Sequence, residues 1–125
     1  IDAICSDHQP HGLDAKLAPF SESAPGIAGL ETLLSLTLKL VDEKSIPLSD
    51  ALARITNQPA RILGIDVGQL TPGAPADVCI FDPGATWLVD ATGLKSRGSN
   101  TPFDQQLLNG SLITTLVAGK ICHGE

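Results

Sequence analysis

The spacing of apolar residues changes once, near residue 65, and that change limits the folds open to the chain. Before it, Ile27, Leu30, Leu34, Leu38 and Val41 recur at helical intervals, with Leu33, Leu36 and Leu40 widening the stripe. Ser49 is placed to cap a second helix carrying Leu52 and Ile55, with Leu48 as its apolar staple. Asn57 and Pro59 open a third helix, which Gly64 ends. Beyond Gly64 the helical period is lost. Pro72-Gly73 and Asp82-Pro83-Gly84 read as turns around the strand-forming run Val78-Cys79-Ile80-Phe81, with Thr86 to Val89 expected as a returning strand. Asn109-Gly110 signals another turn before Leu112 to Val117, and Ala118-Gly119-Lys120 separates that run from Ile121-Cys122-His123, as in a hairpin. The chain therefore divides into a helical half and an all-β half of about 60 residues each, too short to bury a large core alone. Both halves are expected to belong to a larger structure.

A length of 125 residues would suit one ordinary domain. The hydrophobic fraction of 42% includes no apolar run near the roughly 18 residues of a membrane span, so a soluble protein is expected. A net charge of −6, with no basic stripe and few aromatics, argues against nucleic acid as a partner. Cys5, Cys79 and Cys122 are odd in number, scattered and outside C-x-x-C pairs, so neither a disulfide framework nor a zinc ribbon is indicated and a reducing cytoplasm is expected. They read as small buried residues, and Trp87 as packing for the β half. With no methionine and an apparent strand at its first residue, the chain reads as a piece of something longer.

The densest chemistry lies in Cys5-Ser6-Asp7-His8-Gln9-Pro10-His11. Ile1 to Ser6 reads as a short strand in which Ala3, Cys5 and Asp7 share a face, placing Asp7 at its C-terminal end. One reading is a carboxylate and loop imidazoles converging on a substrate or metal at a barrel mouth. The other is a solvated polar loop, and spacing alone leaves both open. Ser6-Asp7-His8 does not make a convincing triad, because neighbours on extended chain point to opposite sides and triad members converge from separate elements. A complete zinc site also fails here, because a catalytic zinc takes about three protein ligands, and any metal would need ligands from elsewhere. Pro25-Gly26 would let backbone approach a ligand closely, or is an ordinary loop leading into the helix.

Several stretches together resemble the dihydroorotases of the amidohydrolase superfamily, over nearly the whole chain. Ser6 to His11 resembles that family's D-H-A-P-H, and Ala24 to Thr32 its P-G-x-x-G-L-E-T stretch. Asn57 to Gly64 resembles the barrel-closing helix, and Gly68 to Asp82 the small-domain signature G-x-L-x-x-G-x-x-A-D. Asn100-Thr101-Pro102-Phe103 resembles the family's N-T-P-F, and Leu116 to Ile121 its closing strand pair.

The fold this resemblance implies is α/β plus β: the C-terminal piece of a metal-dependent (β/α)8 TIM-barrel amidohydrolase, with part of its small composite β-sandwich domain. Residues 1–65 would supply the last barrel strand and following helices, and residues 66–125 the C-terminal part of the sandwich. The implied activity is reversible interconversion of dihydroorotate and N-carbamoyl-L-aspartate in pyrimidine biosynthesis, with one or two zinc ions in the full-length protein. By position, Asp7 would contact the metal and shuttle the proton, His11 would bind the substrate carboxylate, Pro25 and Gly26 would meet the substrate ring through their backbone, and His8 would be structural. Gln9 stands where the family pattern has Ala. The metal-holding histidines lie upstream of the matching region, so this fragment alone is expected to be inactive and metal-free. The resemblance also covers non-catalytic homologues that stabilise aspartate carbamoyltransferase, and a hydantoinase-like hydrolase is a further alternative. A cytoplasmic homo-oligomer is expected.

Overall fold

The computed structural model describes residues 1–124. Its regular elements are a 3-10 turn at Leu13–Lys16, helices α1 (Leu33–Asp42), α2 (Leu48–Ala53) and α3 (Asn57–Leu63), and strands β1 (Val78–Leu88), β2 (Leu107–Val117) and β3 (Lys120–His123). The strands form one antiparallel sheet in the order β1-β2-β3.

The first helix begins later than its apolar stripe suggests. Ile27 is extended and bridges His8, and the chain turns through Gly29 to Thr32 before α1 starts at Leu33. The amides of Gly29 and Leu30, which could have joined a helix, point to His8 Nδ1 instead. The buried face of α1 is Ser35, Thr37 and Leu38. Ser49 does not cap α2. That helix starts at Leu48 behind Pro47, whose carbonyl accepts from Asp50 and Ala51, so Leu48 lies inside the helix rather than acting as an outside staple. Helix α3 ends as expected, with Gly64 left-handed at φ 69°.

The two expected strands around Asp82-Pro83-Gly84 are one. Val78 to Asp82 pairs with Leu116 to Ser111, and Thr86 to Leu88 pairs with Asn109 to Leu107, so both parts run along β2 in the same direction. Asp82 Oδ1 accepts the amides of Gly84 and Ala85 and folds the intervening residues into a bulge. Asn109-Gly110 is likewise no turn but the middle of β2, opposite that bulge. Gly110, at φ 92°, lies against α1: a Cβ there would come within 2.4 Å of Leu38 Cδ1. The glycine serves close packing of helix on sheet. The terminal hairpin forms as expected, with Ala118 and Gly119 both at positive φ between paired Val117 and Lys120.

Ile1 to Ser6 joins no strand ladder. Ile4 N–H donates to Arg54 O, and Arg54 Nε donates to Ile1 O, so the segment is tied to the end of α2. The three cysteines are exposed rather than buried, in contrast to their expected place in the core. Trp87 does more than pack the sheet: its Nε1 donates to Ser35 Oγ at 2.9 Å and joins β1 to α1. The buried apolar side chains among the described residues are Ala28, Leu38, Ala51, Ala60, Val89 and Leu108. Half of them are alanines, so the interior is thin, while Leu17, Phe20, Leu70 and Leu107 stay exposed.

Candidate functional site

Two segments carry the predicted site residues, and His8 stitches them together. Gln9 N–H donates to Ile27 O at 2.9 Å, and His8 pairs with Ile27 in a parallel bridge. His8 Nδ1 accepts both the Gly29 and Leu30 amides at 3.2 Å, so that nitrogen carries no proton. Its Nε2 lies 3.5 Å from Ser96 Oγ. His8 Nδ1 is thus engaged in holding the Gly29–Leu30 turn.

Asp7 differs. It is exposed, it sits at φ 42° where few residues other than Gly, Asn and Asp settle, and its carboxylate makes no hydrogen bond among the described residues. It is the cluster's uncommitted acid.

His11 and Pro25 are brought together directly, with His11 Nε2 3.0 Å from Pro25 O. A carbonyl only accepts, so Nε2 carries the proton and Nδ1 is the ring's remaining polar atom. That atom donates to a bound anion when the ring is doubly protonated. The Pro25 carbonyl is occupied, and proline has no N–H. The Gly26 carbonyl is also occupied, by Lys16 Nζ at 2.7 Å and Asn100 Nδ2 at 3.2 Å. The Gly26 N–H is left as the uncommitted backbone group of the pair among the described residues. Gly26 adopts φ 90°, and a Cβ on it would lie 2.4 Å from Gln9 Cβ and 2.7 Å from Gln9 Oε1. Gln9 therefore lies directly against the glycine.

The residues present do not by themselves make a metal centre. Among the described residues no three His, Cys, Asp or Glu side chains converge at ligand distance. Both nearby imidazoles are engaged through a ring nitrogen, His8 with the Gly29 and Leu30 amides and His11 with Pro25 O. Asp7, and His11 through Nδ1, could each offer a donor without losing a partner, which is still short of the three protein ligands a catalytic zinc takes.

Three supporting residues hold the site through contacts that the sequence does not signal. Glu31 accepts the Lys95 and Ser96 amides, one on each carboxylate oxygen at 3.0 Å, and fixes the loop that carries Ser96 to His8. Lys16 donates to Ala24 O and Gly26 O. Asn100 was noted only within a family motif, yet its side chain reaches Gln9, His11 and Gly26. These ties join residues far apart in sequence, and no local pattern marks them.

A separate cavity of about 700 Å3 lies between α1 and the sheet, with Leu34, Trp87, Leu112 and His123 in its walls. His8 borders it, but Asp7, His11, Pro25 and Gly26 do not. Cys79, exposed as a residue, lines it too, and partial burial of its thiol raises the pKa above the ordinary thiol value.

Comparison with known proteins identifies relatives of the chain. Along its whole length the chain is 46% identical to a dihydroorotase of Syntrophus aciditrophicus (strain SB), and it spans 29% of that protein. It is 45% identical over 124 residues to a dihydroorotase-like protein of Pseudomonas putida, again covering 29% of the relative. The L-hydantoinase (dihydropyrimidinase) of Arthrobacter aurescens superposes on the whole chain with a TM-score of 0.90 at 29% identity, and the chain covers 30% of that structure. The chain thus spans under a third of the length of these relatives. The amidohydrolase family profile matches residues 1–122, and the small antiparallel sheet with its few helices corresponds to part of such a protein: the chain belongs to the amidohydrolase family.

Proposed function

We propose that the full-length protein is a dihydroorotase-type cyclic amide hydrolase that interconverts dihydroorotate and N-carbamoyl-L-aspartate in pyrimidine biosynthesis. In this reading residues 1–65 supply the last barrel strand and following helices, and residues 66–125 the C-terminal part of the β-sandwich domain. The observation that carries it is that the segment following the uncommitted Asp7 is tied to Pro25 through His11 and to Gly26 through Asn100. Identity of 46% along the whole chain to a protein named dihydroorotase supports the choice of substrate.

Each residue has a role that fits its surroundings. Asp7, free of partners, takes the proton of the attacking water and passes it to the ring nitrogen as the ring C–N bond breaks. His11 and the Gly26 N–H offer donors to the substrate's carboxylate and ring oxygens. Zinc, one or two ions in the full-length protein, would polarise the carbonyl and acidify water, with Asp7 as this chain's contribution and the other ligands outside it. The parent is read as a cytoplasmic homo-oligomer.

A second reading is favoured by one feature. Gln9, which replaces the family's alanine, lies against Gly26 where a substrate ring would approach. A non-catalytic dihydroorotase-like subunit that stabilises aspartate carbamoyltransferase accounts for such filling. Metal analysis of the full-length protein, expressed with zinc supplied, tests the two together with a dihydroorotate hydrolysis assay. The enzyme reading predicts stoichiometric metal and turnover. A folded, metal-free, inactive protein that co-purifies with a carbamoyltransferase would support the second.

A further inference from the structure

We infer that Asn100 is the positioning residue that sets the substrate-binding geometry of His11 and Gly26; the inference rests on the substrate-binding role given to those two residues above. Asn100 is 7% exposed, and its side-chain amide is fully used. Oδ1 accepts the His11 N–H at 2.7 Å, and Nδ2 donates to Gln9 O at 3.0 Å and Gly26 O at 3.2 Å. Its backbone carbonyl accepts from the Ala28 N–H at 3.2 Å. One residue thereby holds both site segments.

The chemistry of these partners permits only an amide in one orientation. The His11 N–H can only donate and the two carbonyls can only accept, so a flipped amide would oppose like groups at all three contacts. Aspartate would set a carboxylate against two carbonyl oxygens. The fit is also close, since a Cβ on buried Gly98 would lie 2.4 Å from His11 N, and Ser99 N–H donates to His11 O at 3.2 Å.

Two consequences bear on binding rather than on the fold. By occupying the Gly26 carbonyl together with Lys16, Asn100 leaves that residue's N–H as the group for a ligand, so the loop presents a donor rather than an acceptor. By fixing the His11 backbone it also sets where the imidazole stands. The Asn100 side chain makes no hydrogen bond to a helix or strand, so its loss should act locally.

The test uses the full-length protein with zinc supplied, comparing wild type, Asn100→Ala and Asn100→Asp. The inference predicts that KM for dihydroorotate rises about tenfold or more while kcat stays within about threefold, the pattern of lost binding that is common to ground and transition states. Metal content and the thermal transition should be retained. Adding Asn100→Ala to His11→Ala should raise KM by a smaller factor than Asn100→Ala does in the wild type, because the His11 share of its effect is already lost and the Gly26 share remains. Amide exchange at His11 and Ala28 should quicken while exchange in α1 and β2 does not. Unchanged KM in a folded, metal-loaded variant would overturn the inference, as would unchanged exchange, or loss of metal, stability and kcat together. If Asn100→Ala does not fold, Asn100→Asp is read by the same criteria. If the wild type does not turn over dihydroorotate, the proposed function falls, and the exchange measurement still decides whether Asn100 holds the two segments together.

Discussion

Asp7 combines a positive φ of 42° with a carboxylate free of partners, so its substitution by Asn keeps the backbone preference and the volume while removing the proton acceptor. In the full-length protein, Asp7→Asn should lower kcat for dihydroorotate by at least about 10²-fold with the melting transition unchanged. Unimpaired turnover in that variant would remove Asp7 from the mechanism. Gly26→Ala tests the neighbouring segment, since it places a Cβ at φ 90° and 2.4 Å from Gln9 Cβ. It should destabilise by about 1–3 kcal/mol, read from urea unfolding, and weaken substrate binding. The contrast in legibility is physical. Asp7, His8, Gln9 and His11 stand side by side and were visible as a cluster, whereas Asn100 reaches His11 across 89 residues and Glu31 reaches Ser96 across 65. Only the fold brings such partners together.

At the scale of elements, the contact of α1 with β2 depends on a missing side chain and a pair of polar groups. Gly110→Ala should force Leu38 aside and cost about 1–3 kcal/mol of stability, visible as a lower urea midpoint. Trp87→Phe keeps the ring but removes the 2.9 Å bond to Ser35 and leaves a buried hydroxyl short of a donor, costing about 1 kcal/mol by the same measurement. From the sequence Asn109-Gly110 reads as a turn, because Asn-Gly is common in hairpins. Packing against a helix overrode that local preference. The same holds at Asp82-Pro83-Gly84, where the turn residues form a bulge within one strand because β2 continues past them on the other side. The helix end at Gly64 and the hairpin at Ala118-Gly119 were legible because their backbone geometry is decided locally. A pH effect belongs to the Asp90 turn. The Thr92 hydroxyl, then the Thr92 amide and, more weakly, the Gly93 amide, hold the Asp90 carboxyl below the ordinary aspartate value. Its contribution is therefore full above the unfolded value and is lost as pH falls through the folded one. Amide exchange at Thr92 should quicken in that acidic window, and Asp90→Ala should remove the dependence.

The molecule as a whole exposes 8387 Å2, against roughly 6,300 Å2 expected of a compact monomer of this mass. Exposed Phe20, Leu17, Leu70 and Leu107 contribute to that excess. This agrees with a chain that spans 29% of its relatives, and with two halves that each read as too small for a core of their own. Membership of the amidohydrolase family was legible because its motifs are contiguous, while a complete metal centre was not, because the described residues bring no three ligands together. The central claim is the proposal that the substrate carboxylate is bound by His11 and the Gly26 N–H. It is tested most directly by kcat/KM of the full-length, zinc-supplied protein for dihydroorotate and for dihydrouracil, the same ring without the carboxylate. A site built to bond that group should favour dihydroorotate by about 10⁴-fold, because the analogue leaves the site's donors unpaired. Equal turnover of the two, or a preference for dihydrouracil, would contradict the account.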